Sequence, residues 1–244
     1  MALPRSRTAG AGASAHAQYR ARLAEGRRRR LIVRALLAAA AAVVVGSLLG
    51  WVAALVAAVL VAIIDALYRW RHHEAVRTWR QGAKGERKTA RMLRPLRRRG
   101  YAVLHDRALP GSSANVDHLV IGPNGVFVVD SKNWNRNKRI TTRGRYVHIG
   151  STWGDAAVKG AVYEARRVAE GLGAALGQPV EVTPVLAIHG PTLPLLRVMK
   201  VEGVALLRAS QVRHWITRGS ARLGEQEVAR LAAAAERLFP PYTG

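Results

Sequence analysis

Two acids and one lysine sit inside the most β-prone runs of the chain. The runs are Val116-Asp117-His118-Leu119-Val120-Ile121 and Val126-Phe127-Val128-Val129-Asp130-Ser131-Lys132. Carboxylates in such runs are costly to bury unless they are paired or bound to a metal. The intervening Gly122-Pro123-Asn124-Gly125 reads as a hairpin turn. If Gly122 faces Gly125, Ile121 meets Val126, Leu119 meets Val128 and Asp117 meets Asp130. Cβ atoms of directly opposed residues lie about 4.5–5.5 Å apart, and two carboxylates that close repel unless a proton or cation lies between them. Side chains alternate along a strand, so Asp117, Asp130 and Lys132 share one face while Phe127 and Val129 point the other way. If Asn124-Gly125 forms the loop instead, Asp117 faces Lys132 as an ion pair. That register puts Pro123 at a pairing position, which a strand disfavours.

In the first register two carboxylates and an ammonium converge at one end of a hairpin. This is a hard-cation site of the Mg²⁺ (or Mn²⁺) type with a lysine beside it. Such a site can activate water and neutralise charge building on a phosphate, and Lys132 can orient the water or stabilise the phosphorus centre. The expected chemistry is phosphodiester hydrolysis without a covalent intermediate.

Asp117, twelve intervening residues, then Asp130-Ser131-Lys132 resembles the PD-(D/E)XK nuclease signature. The surrounding blocks are more specific. Gly82-Ala83-Lys84-Gly85-Glu86-Arg87, Val116-Asp117-His118-Leu119-Val120-Ile121-Gly122-Pro123 and Gly125-Val126-Phe127-Val128-Val129-Asp130-Ser131-Lys132-Asn133-Trp134 occur in the order seen in the nuclease-related domain (NERD) family. The resemblance covers residues 82–150 in detail. It implies a restriction-endonuclease-like α/β fold, a mixed sheet flanked by helices, and Mg²⁺-dependent cleavage of DNA. It also implies that Asp117 and Asp130 ligate metal, that Lys132 acts on the water, and that Glu86 joins the site from the preceding helix. The family's second acid is usually glutamate; here it is the shorter Asp130.

The elements that must position these residues read as follows. Residues 74–99 are helical, with Gly82 and Gly85 as a candidate break. Strands are expected at 101–105, 115–121, 125–132, 140–142, 146–149, 180–188 and 201–207. Helices are expected at 155–176, 210–217 and 225–238. This order makes residues 74–244 a mixed α/β domain. His118 falls on the face opposite Asp117 and reads as a core histidine. Trp134 and Trp153 read as core residues or as surfaces for base stacking. Arg136, Lys138, Arg139, Arg143 and Arg145 form a basic stretch able to track phosphates, or a solvated face.

Charge and hydropathy add a second theme. The 244 residues hold 39 Lys+Arg against 15 Asp+Glu, a formal charge of +24. There is no cysteine, which excludes disulfides, thiolate metal sites and a cysteine nucleophile. At 49% hydrophobic the chain is not a disordered basic tail. Residues 1–34 carry nine cations and one acid, and residues 68–100 carry twelve cations and two acids. Between them, residues 35–64 hold no charge at all. About 20 apolar helical residues span a bilayer, so residues 31–67 read as a transmembrane region. Two short helices broken near Gly46-Ser47-Leu48-Leu49-Gly50-Trp51 suit the positive charge on both flanks better than one long span. Residues 1–30 read as a basic, disordered segment.

Together these features anticipate a metal-dependent nuclease, acting on DNA with RNA left open. It would be anchored in the cell membrane with its C-terminal domain in the cytoplasm. The alternative is a non-catalytic membrane-associated protein that keeps the nuclease scaffold and binds nucleic acid or anionic lipid.

Overall fold

The structure is a computed structural model that describes residues 32, 36, 39, 40, 43, 46–48, 50–193 and 198–242. The basic segment 1–30 and most of 31–49 lie outside the described residues. The chain divides into a compact unit His16–Arg80 and a larger one that takes in Gln81–Gly244.

In the first unit, Gly50 adopts φ +84 and its N–H bonds the Gly46 carbonyl at 3.1 Å, a left-handed helix stop at the break expected there. Helix α1 begins at the next residue and runs Trp51–Leu93. Its first turns expose apolar side chains, among them Val52, Leu55, Val56, Leu60, Ile63, Ile64 and Leu67. Among the described residues, however, no helix is long and apolar enough to cross a membrane. The transmembrane hairpin expected over 31–67 is therefore not supported by the described helices.

The second unit is the α/β domain. The break expected at Gly82 and Gly85 does not occur, because α1 continues through both. Gly85 has a different reason to be glycine. A Cβ there would lie 2.7 Å from the Asn133 Cβ, so the helix approaches the strand as closely as the backbone allows. Gln81 and Asn133 fasten the contact reciprocally, with Gln81 Nε2 donating to the Asn133 carbonyl (3.0 Å) and Asn133 Nδ2 to the Gln81 carbonyl (2.7 Å). After α1 a 3-10 helix, Arg94–Arg99, leads into the sheet.

The strands are β1 (Ala102–Ala108), β2 (Asn115–Gly122), β3 (Gly125–Asn133), β4 (Ile140–Arg143), β5 (Tyr146–Ile149), β6 (Thr152–Trp153), β7 (Val182–His189), β8 (Met199–Val201) and β9 (Val204–Arg208). The remaining helices are α2 (Asp155–Leu176), α3 (Ala209–Thr217) and α4 (Glu225–Leu238). Six strands form a mixed sheet in the order β1-β2-β3-β7-β9-β8, and β4-β5-β6 form a small antiparallel sheet. β1, β2 and β3 run antiparallel, while β3, β7 and β9 run parallel. The run 201–207, expected as one strand, folds back on itself at Glu202-Gly203. Both turn residues have positive φ (49° and 80°), the requirement of a tight two-residue hairpin.

Alternation along β3 sorts its neighbours. Val126 and Val128 pack with Leu119, Ile121, Val168 and Leu172 beneath α2 and α4. Phe127 and Val129 pack with Leu93, Leu96, Val212 and Ile216, on the side of α1 and α3. Each such side chain contributes about 1.5–3 kcal/mol by leaving water, so a one-residue slip would forfeit both layers at once.

Candidate active site

The β2–β3 register is Gly122↔Gly125, Ile121↔Val126, Leu119↔Val128 and His118↔Val129, the first of the two alternatives. One step beyond the last pair, Asp117 stands beside Asp130. The backbone N–H of Ser131 donates to Asp117 Oδ2 at 2.9 Å, and the two carboxyl groups are close enough to share a hydrogen bond. By strand parity Asp117, Asp130 and Lys132 lie on the face that α2 covers. Lys132 Nζ spans both oxygens of Asp130, at 2.8 Å from Oδ1 and 2.7 Å from Oδ2. The Asp130 side chain is 5% exposed and that of Lys132 33%, so the carboxylate is sunk while the ammonium reaches solvent.

A fourth member, absent from the motif, comes from α2. Glu164 places Oε2 in the interior with no hydrogen-bond partner, within the field of Asp130, Asp117 and Lys132. Burial, Asp130 and Asp117 push its carboxyl well above the usual range, and Lys132 only partly opposes them. Burial also raises Asp117, against the pull of Lys132 and the Ser131 N–H. It raises Asp130 likewise, with Asp117 adding to the effect and Lys132 opposing it. For Lys132 burial acts downward, but Asp130 and Asp117 outweigh it and hold the ammonium above its ordinary value. Three carboxyl groups around one ammonium form a cluster short of positive charge.

The signal for Glu164 was present in the sequence. On α2 the buried positions are Val158, Ala161, Ala165, Val168 and Leu172, and residue 164 falls within that stripe at helical period. An acid inside an apolar stripe asks for a partner.

Glu86 is placed differently. It is buried on α1, whose close contact with Asn133 lies on the odd-numbered side of β3, opposite Asp130 and Lys132. The Glu86 backbone hydrogen-bonds His118, whose Nε2 meets Ser131 Oγ at 3.2 Å and whose Nδ1 meets His105 Nδ1 at 2.9 Å. The structure thus brings Asp117, Asp130 and Lys132 together with Glu164, and sets Glu86 behind the sheet among the groups that hold Ser131. His118 is fully buried, as expected of a core histidine.

The histidine pair carries a pH prediction. Burial, His118 and nearby arginines lower His105 to about 3. An imidazole held neutral in the folded state and free to charge when unfolded, near 6.5, makes the unfolded chain bind more protons between those values. Stability is therefore complete above about pH 6.5 and declines as pH falls toward 3, by up to about 1.4 kcal/mol per unit for this one group. Denaturant melts of His105→Phe from pH 7 to pH 4 should fall less steeply than wild type. Parallel slopes would show that His105 is not the group responsible.

The donor set suits a hard cation. Among the described residues no three or more His, Asp or Glu side chains are arranged to hold a metal. Mg²⁺, however, is usually bound through one or two carboxylates and keeps several of its waters, and the Asp117–Asp130 pair offers that. The orphaned Glu164 Oε2 and the shortage of positive charge fit a divalent ion, with all candidate ligands oxygen.

The basic stretch after β3 is exposed at Arg136, Arg139, Arg143 and Arg145, and part-buried at Lys138, whose Nζ donates to Thr152 Oγ1 at 3.1 Å. Trp134 packs at the margin of the cluster formed by Ile140, Val147, Ile149 and Leu186, whereas Trp153 is exposed. A separate cavity of about 490 Å³ is lined by Arg91, Arg94, Arg97, Arg98 and His105.

Comparison with known proteins points to a family. A family model for the nuclease-related domain matches residues 81–189, from the α1 contact with Asn133 to the end of β7. Over 57 residues the chain is 40% identical to an uncharacterized protein of Bacillus anthracis, a stretch covering 22% of this chain and 27% of that protein. The chain thus spans about a quarter of the length of that curated relative. No solved structure matches. Residues 81–189 are thus similar to the nuclease-related domain (NERD), a family of the restriction-endonuclease-like superfamily.

Proposed function

We propose that this protein is a divalent-metal-dependent nuclease that hydrolyses DNA phosphodiester bonds and is anchored in the cell membrane, with its α/β domain in the cytoplasm. The observation that carries the chemistry is the meeting of Asp117, Asp130 and Lys132 on one face at the end of the β2–β3 hairpin, with Glu164 above them. Asp117 and Asp130 are the residues that would hold Mg²⁺ or Mn²⁺. When bound, the ion supplies charge neutralisation at the phosphate and lowers the pKa of a bound water. Lys132, whose ammonium reaches solvent, orients the attacking water and meets charge developing on the phosphate oxygens. Ser131 fixes Asp117 through its backbone N–H. Glu86 serves from behind the sheet, through His118 and Ser131, rather than by contact with substrate.

The membrane proposal rests on sequence: the charge-free run 35–64, basic flanks on both sides and the exposed apolar turns at the start of α1. Residues 31–49, which lie mostly outside the described residues, would supply the other half of the hairpin.

The test is cleavage of supercoiled DNA by the full chain. Nicked or linear product is expected with Mg²⁺ or Mn²⁺ and none with EDTA. Activity that survives EDTA, or no activity with either metal, sinks the reading. The second reading, a non-catalytic binder, is favoured by one specific observation. Lys132 already occupies both Asp130 oxygens, as in a purely structural ion pair. In that case the full chain binds DNA with strong salt dependence, through surfaces such as the arginine-lined cavity, and leaves it intact.

A further inference from the structure

The small sheet β4-β5-β6 has two unlike faces. Val147 and Ile149 point inward, onto Val158 and Ala161 of α2. Gly154 lets the sheet sit that close, since a Cβ there would lie 2.9 Å from Val147 Cγ1, and Asp155 Oδ1 accepts the Val147 N–H at 2.9 Å. The alternate residues point outward, and they are aromatic. His148 pairs across the strands with Trp153, their rings 4.5 Å apart at 41°. Tyr146, one alternation along, meets Trp153 edge-on at 5.6 Å. Trp153 is 63% exposed and Tyr146 42%. Arg143 faces Tyr146 across β4–β5, and the Arg145 guanidinium lies 5.4 Å from the Tyr146 ring centre. From Asn133 to Trp153 the chain has five cations and no acid.

An exposed tryptophan on a rigid sheet, in contact with two further rings and rimmed by arginines, has the two parts that single-stranded nucleic acid needs. Flat π-faces receive unstacked bases, and cations meet the phosphates between them. Paired bases in a duplex present their edges rather than their faces, so the platform discriminates by strandedness. The platform lies in sequence between Lys132 on β3 and Glu164 on α2, and α2 packs against both β3 and β5. The geometry points to this face, centred on Trp153 and Tyr146, as a base-stacking platform that gives the protein a preference for unpaired nucleotides. The inference deepens the nucleic-acid reading above and names its substrate class as single strands, flaps or frayed ends.

The experiment measures binding of the full chain at fixed salt, in EDTA so that nothing is cut. The probes are a fluorescein-labelled oligothymidylate, its duplex with oligoadenylate, and phosphatidylserine vesicles. Trp153→Ala should weaken single-strand binding by about ten-fold, the loss of one stacked base. Tyr146→Ala should do so less, Trp153→Phe should retain most of the affinity, and duplex binding should change less than two-fold. Because Trp153 is exposed, its variants should melt as wild type does. Wild-type affinity of both alanine variants for the strand overturns the inference, as does an equal loss on strand and duplex. A loss confined to vesicles also overturns it and assigns the face to lipid. Failure of cleavage leaves these readings unchanged, so the platform and the nuclease can fail separately.

Discussion

Asp130→Asn should cost the protein its metal-dependent cleavage and none of its stability. The carboxylate is buried, its carboxyl is raised by burial and by Asp117, and it lies within the field of Glu164. A raised acid opposes folding at neutral pH, because the folded state must hold a charge it disfavours. The amide removes that charge and keeps the shape. Lys132 retains Asp117 as a neighbour and is one-third exposed, so it is not stranded in the interior. On the proposed function, the same change removes a ligand oxygen and the partner that aims Lys132. Losing one well-placed charge-stabilising group costs about a hundred- to a thousand-fold in rate. Plasmid nicking should fall by that amount while the melting temperature holds or rises. Residues shaped for packing alone do not behave this way, since their loss lowers stability first. Cleavage at the wild-type rate, or a melting temperature several degrees lower, would return the cluster to a structural role. Lys132→Ala should abolish cutting as well. It leaves Asp130 without its counter-charge, so a drop in stability is expected there, and Asp130→Asn is the cleaner measurement.

The largest loss of stability is expected at a residue with no chemistry. Gly122 ends β2, and a Cβ on it would overlap the Tyr101 ring, which is 3% exposed and cannot swing out. Tyr101 Oη donates to Asn124 Oδ1, Asn124 Nδ2 donates to the Gly219 carbonyl, and the Arg222 and Leu223 N–H groups both reach the Pro123 carbonyl. The turn is gripped from several sides and has nowhere to move. Gly122→Ala should therefore cost about 3 kcal/mol or more, the upper range for overpacking. For a domain of this size that corresponds to a melting temperature lower by about 10 °C. In the Tyr101→Ala background, where the obstructing ring is gone, the same substitution should cost far less. Additive losses in the double variant would show that the clash is not the cause.

The parts of the molecule that were legible in the sequence share a physical reason. The β2–β3 hairpin could be read because β-branched runs and a Gly-Pro-Asn-Gly turn narrow the pairing to two registers, and the disfavoured pairing position of Pro123 in one points to the other, in which Asp117, Asp130 and Lys132 converge. Glu164 could have been found from helix period but has no motif. It matters only because α2 packs across β3, and that packing is a tertiary fact. Gly85 looks like a helix breaker by propensity, and only the approach of Asn133 explains it. The split of 201–207 was hidden because Glu202 is an unusual occupant of a positive-φ position. The parallel pairing of β3 with β7 joins segments separated by the small sheet and α2, and nothing local records it.

One strand is shared between two trades. Its even positions, Asp130 and Lys132, face the carboxyl cluster, while of its odd positions Ser131 meets His118 and Asn133 is gripped by the helix behind. A genetic screen for dead protein would therefore recover changes at Gly85, Gln81 or Asn133 as readily as at the acids. Such alleles would be mistaken for folding defects unless their metal affinity were measured. The backing of the blade decides where its edge lies.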